Sequence, residues 1–384
     1  MKLVVFDDPA IRAELLPLTY TRPVGALRVG ITTIAEKWQA LIPGDYFWDA
    51  ATDYLKEIFK PCDDPAEAVF LAGHVLPTKA LAEAVAALGE DECLMADDVC
   101  VARRGMGSVC RAYEGEVLSI KHLYDIFMLN GEALLADFDR ITAGRTSQPL
   151  SATNTVIGDP SLIFLEEGAR VEGAFLNTTA GPIYVGRDGE IMEGSMLRGP
   201  VALCPHAVVN MGSKIYGATT LGPWCKVGGE LNNVVMQAYS NKAHDGFLGN
   251  AVIGEWCNLG AGSVASNLKN DYTPIRLWNY PTARFSRTNL QFCGLIMGDH
   301  SKAGINTMFN TATVLGVGVN IHGSGFPRNF VPSFSEGSTA GYSEVSMTKF
   351  FDIAARMMAR RHVELTEADR RMFYAIREAA EAFK

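Results

Sequence analysis

The chain has no Cys-x-x-Cys pair; its eight cysteines stand at 62, 93, 100, 110, 204, 225, 257 and 293, mostly among apolar neighbours. That spacing excludes a disulfide or zinc framework and implies the reduced, buried thiols of a cytoplasmic protein. A run of about 18 apolar residues is also missing, so no membrane span is expected. The opening MKLVVFDDPA turns acidic too early for a secretory signal, and none is expected. Nor is there a surplus of positive charge. A net charge of -9 excludes a general nucleic-acid binder, although a local group of cations is enough for an anionic small molecule.

What is present is a period of six. Val185, Ile191, Leu197, Leu203, Val209, Ile215, Leu221 and Val227 are all aliphatic, and Met297, Ala303, Phe309, Leu315 and Ile321 repeat the pattern. With 48% apolar residues, eight hits in a preset phase arise by chance roughly three times in a thousand. Neither a helix nor a plain strand has this period. A three-sided coil does, with one inward residue per side and Gly or Asn at the corners. The expected fold is therefore a left-handed parallel β-helix, a prism over about 155–335. Val227 to Ile253 and Leu259 to Met297 break the period, which predicts loops near 236–250 and 267–290.

Residues 1–145 read differently. KLVVF and AVFLAG are short buried strands. TTIAEKWQAL, YLKEIF and PTKALAEAVAALG have helical spacing, and strands alternating with helices give an α/β domain. A helical stretch, IKHLYDIFMLNGEALLADF, leads through a polar linker into the prism, 146–340. Residues 341–384 read as two helices, the second starting at Thr366 with Asp369 as its cap partner, and are expected to cover the open end of the prism.

Three stretches carry a resemblance: FDDPAIRAELLPLTYTRPVGALRVGI, SNKAHDGFLGNAVIGEWCNLGAGSVASN and GDHSKAGINTMFNTATVLG. Together they resemble the bifunctional N-acetylglucosamine-1-phosphate uridylyltransferase/glucosamine-1-phosphate acetyltransferase family, in its shorter Bacteroidetes form. The resemblance implies a cytoplasmic transferase of sugar-nucleotide synthesis. Its implied ligands are acetyl-CoA, a small-molecule sugar phosphate and a nucleoside triphosphate with Mg²⁺; the UDP-N-acetylglucosamine type is expected. A homotrimer is implied, with the 236–250 segment reaching a neighbour. His244 falls on the family's general base and Lys242 on its phosphate-binding lysine. Asn258 and Asn267 fall on sugar contacts. Ala261, between Gly260 and Gly262, falls on the backbone that faces the thioester. The family's tyrosine is Phe247 here and a later aromatic is Leu268, so hydroxyl contacts to the sugar are missing.

The chemistry fits these residue types. Acetyl transfer to a sugar amine needs the ammonium deprotonated, and histidine titrates near neutrality. A backbone N–H in a tight Gly-Ala-Gly turn stabilises the charge growing on the thioester oxygen. Lys302 and Arg328 are assigned to the coenzyme's phosphates. The ARRH segment at 359–362 reads as a solvated helix end, or else as further cations for the same phosphates.

The N-terminal site departs from its family. Asp7, Asp8 and Pro9 follow the first strand where a glycine-rich loop would cradle a triphosphate. Arg12, Arg22 and Arg28 are the expected nucleotide-binding cations. His74 replaces the family's metal-binding aspartate, which leaves Asp97 and Asp98 as metal ligands. The competing readings are a non-catalytic or regulatory hexapeptide-repeat protein with a vestigial first domain, and a zinc hydrolyase. The latter would need three histidines across a trimer interface with two of them close in one chain, whereas His206, His244, His300 and His322 stand far apart in sequence.

Overall fold

Short apolar runs between helical segments build the first layer. In the computed structural model, which describes all 384 residues, the strands Asp45–Asp49, Lys2–Phe6 and Val69–Ala72 lie parallel. They are followed by Val99–Arg104, Glu92–Ala96 and Val109–Ala112. Helices Ile34–Leu41 and Lys79–Ala86 are capped by Thr33 and Thr78, the first through a full capping box with Glu36. The YLKEIF segment corrects the expectation: only a 3-10 turn, Asp53–Leu55, forms there. Residues 125–128 and Asn130–Thr142 are helical and lead to the prism.

From Thr155–Ile157 to Ser335–Ser338 the chain winds as a left-handed parallel β-helix of two- and three-residue strands. Every member of both six-residue series points inward and is at most 4% exposed. The ladders run in register, for example Leu203 with Leu221 and Val209 with Val227.

The segment 236–250 is not a loop. After Val227 the inward positions are Leu231, Met236, Lys242, Leu248 and Ile253. Their register partners are Ile215 to Leu231, Val227 to Lys242, Leu231 to Leu248 and Met236 to Ile253. The corners shorten by one or two residues and the coil continues. The second break is a true excursion: after Ala265 the chain leaves the prism, forms the hairpin Arg276–Asn279 with Arg284–Arg287, and returns at Ile296.

The three sides have different neighbours. Tyr184, Ala202, Thr220, Val235, Val252, Ile296 and Val314 face outward from one side, yet all are buried because the N-terminal domain packs over them. A second side bears Asn241, Asn258 and Lys302, and helix Met347–Ala359 runs along it. The C-terminal helices thus lie against the side of the prism and the N-terminal domain, not over its open end. Arg371 joins Glu57, and Phe350 and Phe373 meet His300. The third side is uncovered and presents Phe175, Met196, Tyr216, Val264 and Met308, each more than a third exposed.

Candidate active site

Successive coils stack their corners, so residues far apart in sequence meet at one edge. The turn Ala243–Gly246 lies directly against Gly260–Gly262. The Gly262 N–H donates to the Asp245 carbonyl at 3.1 Å, and the Asn306 N–H of the next coil donates to the Ala261 carbonyl at 2.7 Å. Gly246 and Gly262 take φ of 125° and 70° in these turns, where a side chain would be strained.

His244 is exposed on this corner, with its ring free of hydrogen bonds to the protein. Within the adjoining turn the Gly260 N–H is spent on Ala303 and that of Gly262 on Asp245, while the Ala261 N–H makes no hydrogen bond and is only partly buried. The edge therefore offers a solvent-facing imidazole and an unengaged amide donor on adjacent coils.

Phe247 and Asn267 lie together one side further on. Both flank Gly249, where an added Cβ would sit 2.6 Å from the Phe247 ring and 2.7 Å from the Asn267 amide nitrogen. Asn267 donates to the Asn250 side chain at 2.8 Å. Asn258 is on the other side of the corner, in register with Asn241 and Lys302. The expected sugar contacts thus straddle the corner.

Lys242 is a correction. It occupies an inward position between Val227 and Leu259 and is 1% exposed. Its ammonium donates to the carbonyls of Gly228 (3.0 Å) and His244 (2.6 Å), and burial draws its pKa down to about 8. So placed, it does not face a sugar phosphate. Lys302 and Arg328 are not brought together either: Lys302 lines a cavity under helix Met347–Ala359, whereas Arg328 lines a separate one beside Trp278 and Phe330.

The three N-terminal arginines are likewise engaged. Arg22 is buried in ion pairs with Asp299 and Glu255 of the prism, and Thr21 donates to the same Asp299. Arg28 bonds to the Ile31 and Gln237 carbonyls, while the Gln237 amide caps the Arg28 backbone in both directions. Arg12 donates to the Thr19 carbonyl and the Tyr54 hydroxyl. These cations fix the first domain to itself and to the prism, which corrects their assignment to a nucleotide.

The expected metal site does not assemble. Asp97 and Asp98 form the turn of a hairpin. Asp7 accepts from the Val24 and Ala51 N–H groups, its pKa pushed up to about 6 chiefly by burial, and Asp8 caps a helix. No group of three or more His, Cys, Asp or Glu side chains lies together here. His74 is buried with both ring nitrogens unpartnered, and burial lowers its pKa to about 4.

One feature escaped sequence reasoning. His206, Trp224, Tyr239, Trp256 and His300 stack at one corner in the left-handed region, with φ of 55–61°. Their 15- to 44-residue spacing gives no periodic signal, and glycine or asparagine is what such a backbone favours.

Residues 3–146 match a family described as sugar nucleotidyl transferase. The chain is 25% identical over 231 residues to the bifunctional protein GlmU of Gloeobacter violaceus, covering 53% of this chain and 45% of the relative. It is 22% identical over 218 residues to GlmU of Synechococcus elongatus, covering 51% and 44%. The chain thus spans about half the length of the curated relatives it matches. The solved UDP-N-acetylglucosamine acyltransferase of Francisella novicida aligns over 62% of this chain and 79% of its own, at 12% identity and a TM-score of 0.23. No helix here is long and apolar enough to cross a membrane.

Proposed function

We propose that this chain transfers the acetyl group of acetyl-CoA to the amine of a phosphorylated amino sugar, in the synthesis of a nucleotide sugar of the UDP-N-acetylglucosamine type. The observation that carries the reading is the corner where exposed His244 adjoins the unengaged Ala261 N–H. The imidazole removes a proton from the sugar ammonium, and the freed amine attacks the thioester carbonyl. The Ala261 N–H meets the oxygen that gains charge; as the C–S bond breaks, the attacking nitrogen gives up its second proton and the departing thiolate takes one up, leaving the amide and the free thiol. Asn258, Asn267 and Phe247 flank the sugar. Gly260 and Gly262 fix the turn through their own N–H groups.

A prism corner is convex, and none of the principal cavities includes His244. The missing wall is supplied, on this reading, by another copy of the chain in a homotrimer packed through the uncovered side that bears Phe175, Met196 and Val264.

For the N-terminal domain the match of residues 3–146 to the sugar nucleotidyl transferase family supports nucleotidyl transfer to a sugar 1-phosphate, with cations other than Arg12, Arg22 and Arg28, which are all engaged by protein groups. The test is thiol release from acetyl-CoA with glucosamine-1-phosphate and related amino sugars. The unmodified protein should be active and His244→Ala should lose about 10² to 10⁴ in kcat. A fully active His244→Ala protein would overturn the assignment.

A further inference from the structure

Helix Met347–Ala359 and the turn after it roof a cavity of about 360 Å³ on the prism side that carries Asn241 and Asn258. Four cations line it: Lys302 from the prism, and Arg356, Arg360 and Arg361 from the helix end. No carboxylate lines it. None of the four forms an ion pair, in a chain whose net charge is -9. Behind them the Tyr239 and Trp256 rings stack 4.0 Å apart and nearly parallel.

Cations at a helix C-terminus answer the helix dipole, and that alone makes no site. Two observations go further. The Arg361 Nε is buried with no hydrogen-bond partner. Lys302 is pinned beneath the arginines by donating to the His300 carbonyl at 2.9 Å, and burial lowers its pKa to about 8. An unmatched buried guanidinium donor beside three further cations and no carboxylate is what an anion satisfies, and guanidinium groups pair with phosphate in two-point fashion.

We propose that this cavity binds a phosphate-bearing ligand carrying two or more negative charges, held by Arg356, Arg360, Arg361 and Lys302 against the Tyr239–Trp256 wall. Asn241, in the cavity, and His244 are three positions apart, so at most about 11 Å of chain lies between them. Under the proposed function, that spacing leaves two sources of the charge: the phosphates of the coenzyme or the phosphate of the sugar. Anion binding itself does not depend on acetyl transfer.

The test titrates the full chain with inorganic pyrophosphate by calorimetry. Parallel titrations use adenosine 3′,5′-bisphosphate and glucosamine-1-phosphate as competitors. Pyrophosphate should bind the parent, weaken with added salt, and bind the doubly substituted Arg356→Gln, Arg360→Gln protein about tenfold or more weakly. Both positions are exposed, so the ligand-free melting temperature should stay within error of the parent. Arg361→Lys, which keeps the charge but loses the fork, should show an intermediate loss. Competition by the bisphosphate assigns the cavity to the coenzyme, and competition by the sugar phosphate assigns it to the acceptor. His244→Ala should bind pyrophosphate as the parent does, which separates this inference from the catalytic one. Equal binding by parent and double variant, or no binding to the parent at about 10 mM, would overturn it.

Discussion

The Lys242 ammonium lies 2.6 Å from the His244 carbonyl oxygen, inside the prism, with its charge directed away from solvent. A core position that Val227 and Leu259 occupy in neighbouring coils is here given to a cation, and that cation holds the turn on which the exposed imidazole stands. Lys242 is a positioning residue in this geometry, acting through the backbone.

That role separates two kinetic outcomes. If Lys242 positions the turn, Lys242→Met should lower kcat by about tenfold or more and leave the sugar KM nearly unchanged. If it bound sugar phosphate, KM would rise with kcat kept, because phosphate is held equally in the ground and transition states. Steady-state kinetics with varied amino-sugar phosphate decide between them.

The same burial makes a pH prediction. Lys242 titrates near 8 in the folded protein, against an ordinary 10.5. Between those values the unfolded chain holds a proton that the folded one does not, so stability from this group rises with pH across the window. Lys242→Met lacks the titration. The stability difference between parent and variant should therefore move in the parent's favour from pH 8 to 10.5, by up to about 3 kcal/mol. Urea titrations of both proteins at several pH values measure it; a difference independent of pH would show that the ammonium is not buried.

Much of the prism was legible because its signal is repetitive: an aliphatic residue every six positions needs no partner information. The coil between Val227 and Ile253 was not, for two physical reasons. Its corners are shorter, and one inward position is a lysine, which a search for apolar residues passes over. The candidate base and the Gly-Ala-Gly turn were legible as residue types in a dense local segment. The partners of Arg22 were not, since Asp299 is 277 residues away and nothing local marks the pair.

Arg22 then carries a third prediction. Replacing it by alanine leaves the buried Asp299 and partly buried Glu255 without their cation, and burial already raises the Glu255 pKa. Removing one partner of a buried ion pair costs about 3–5 kcal/mol. Arg22→Ala should lower the urea midpoint accordingly and increase proteolysis between the first domain and the prism. Unchanged stability together with lost nucleotide affinity would restore the arginine to a nucleotide site.

The fourth prediction tests whether the stacked turns set the distance between His244 and Ala261. Gly246 has φ of 125°, and a Cβ there would overlap the Ser263 carbonyl of the next coil. Gly246→Ala must push the two coils apart at this corner, where the Asp245 carbonyl meets the Gly262 N–H. Gly212, in an earlier turn, is the control: its φ is 69°, but an added Cβ meets nothing within 4 Å. Gly212→Ala should cost about 1–2 kcal/mol from backbone strain alone and leave kcat within about twofold. Gly246→Ala should cost at least as much stability and lower kcat by about 10²-fold, because a shift of about 1 Å between reacting groups is enough for that loss. Coenzyme affinity measured without turnover should stay close to that of the parent. Equal kcat values for the two variants would mean that the register of these turns does not position the base.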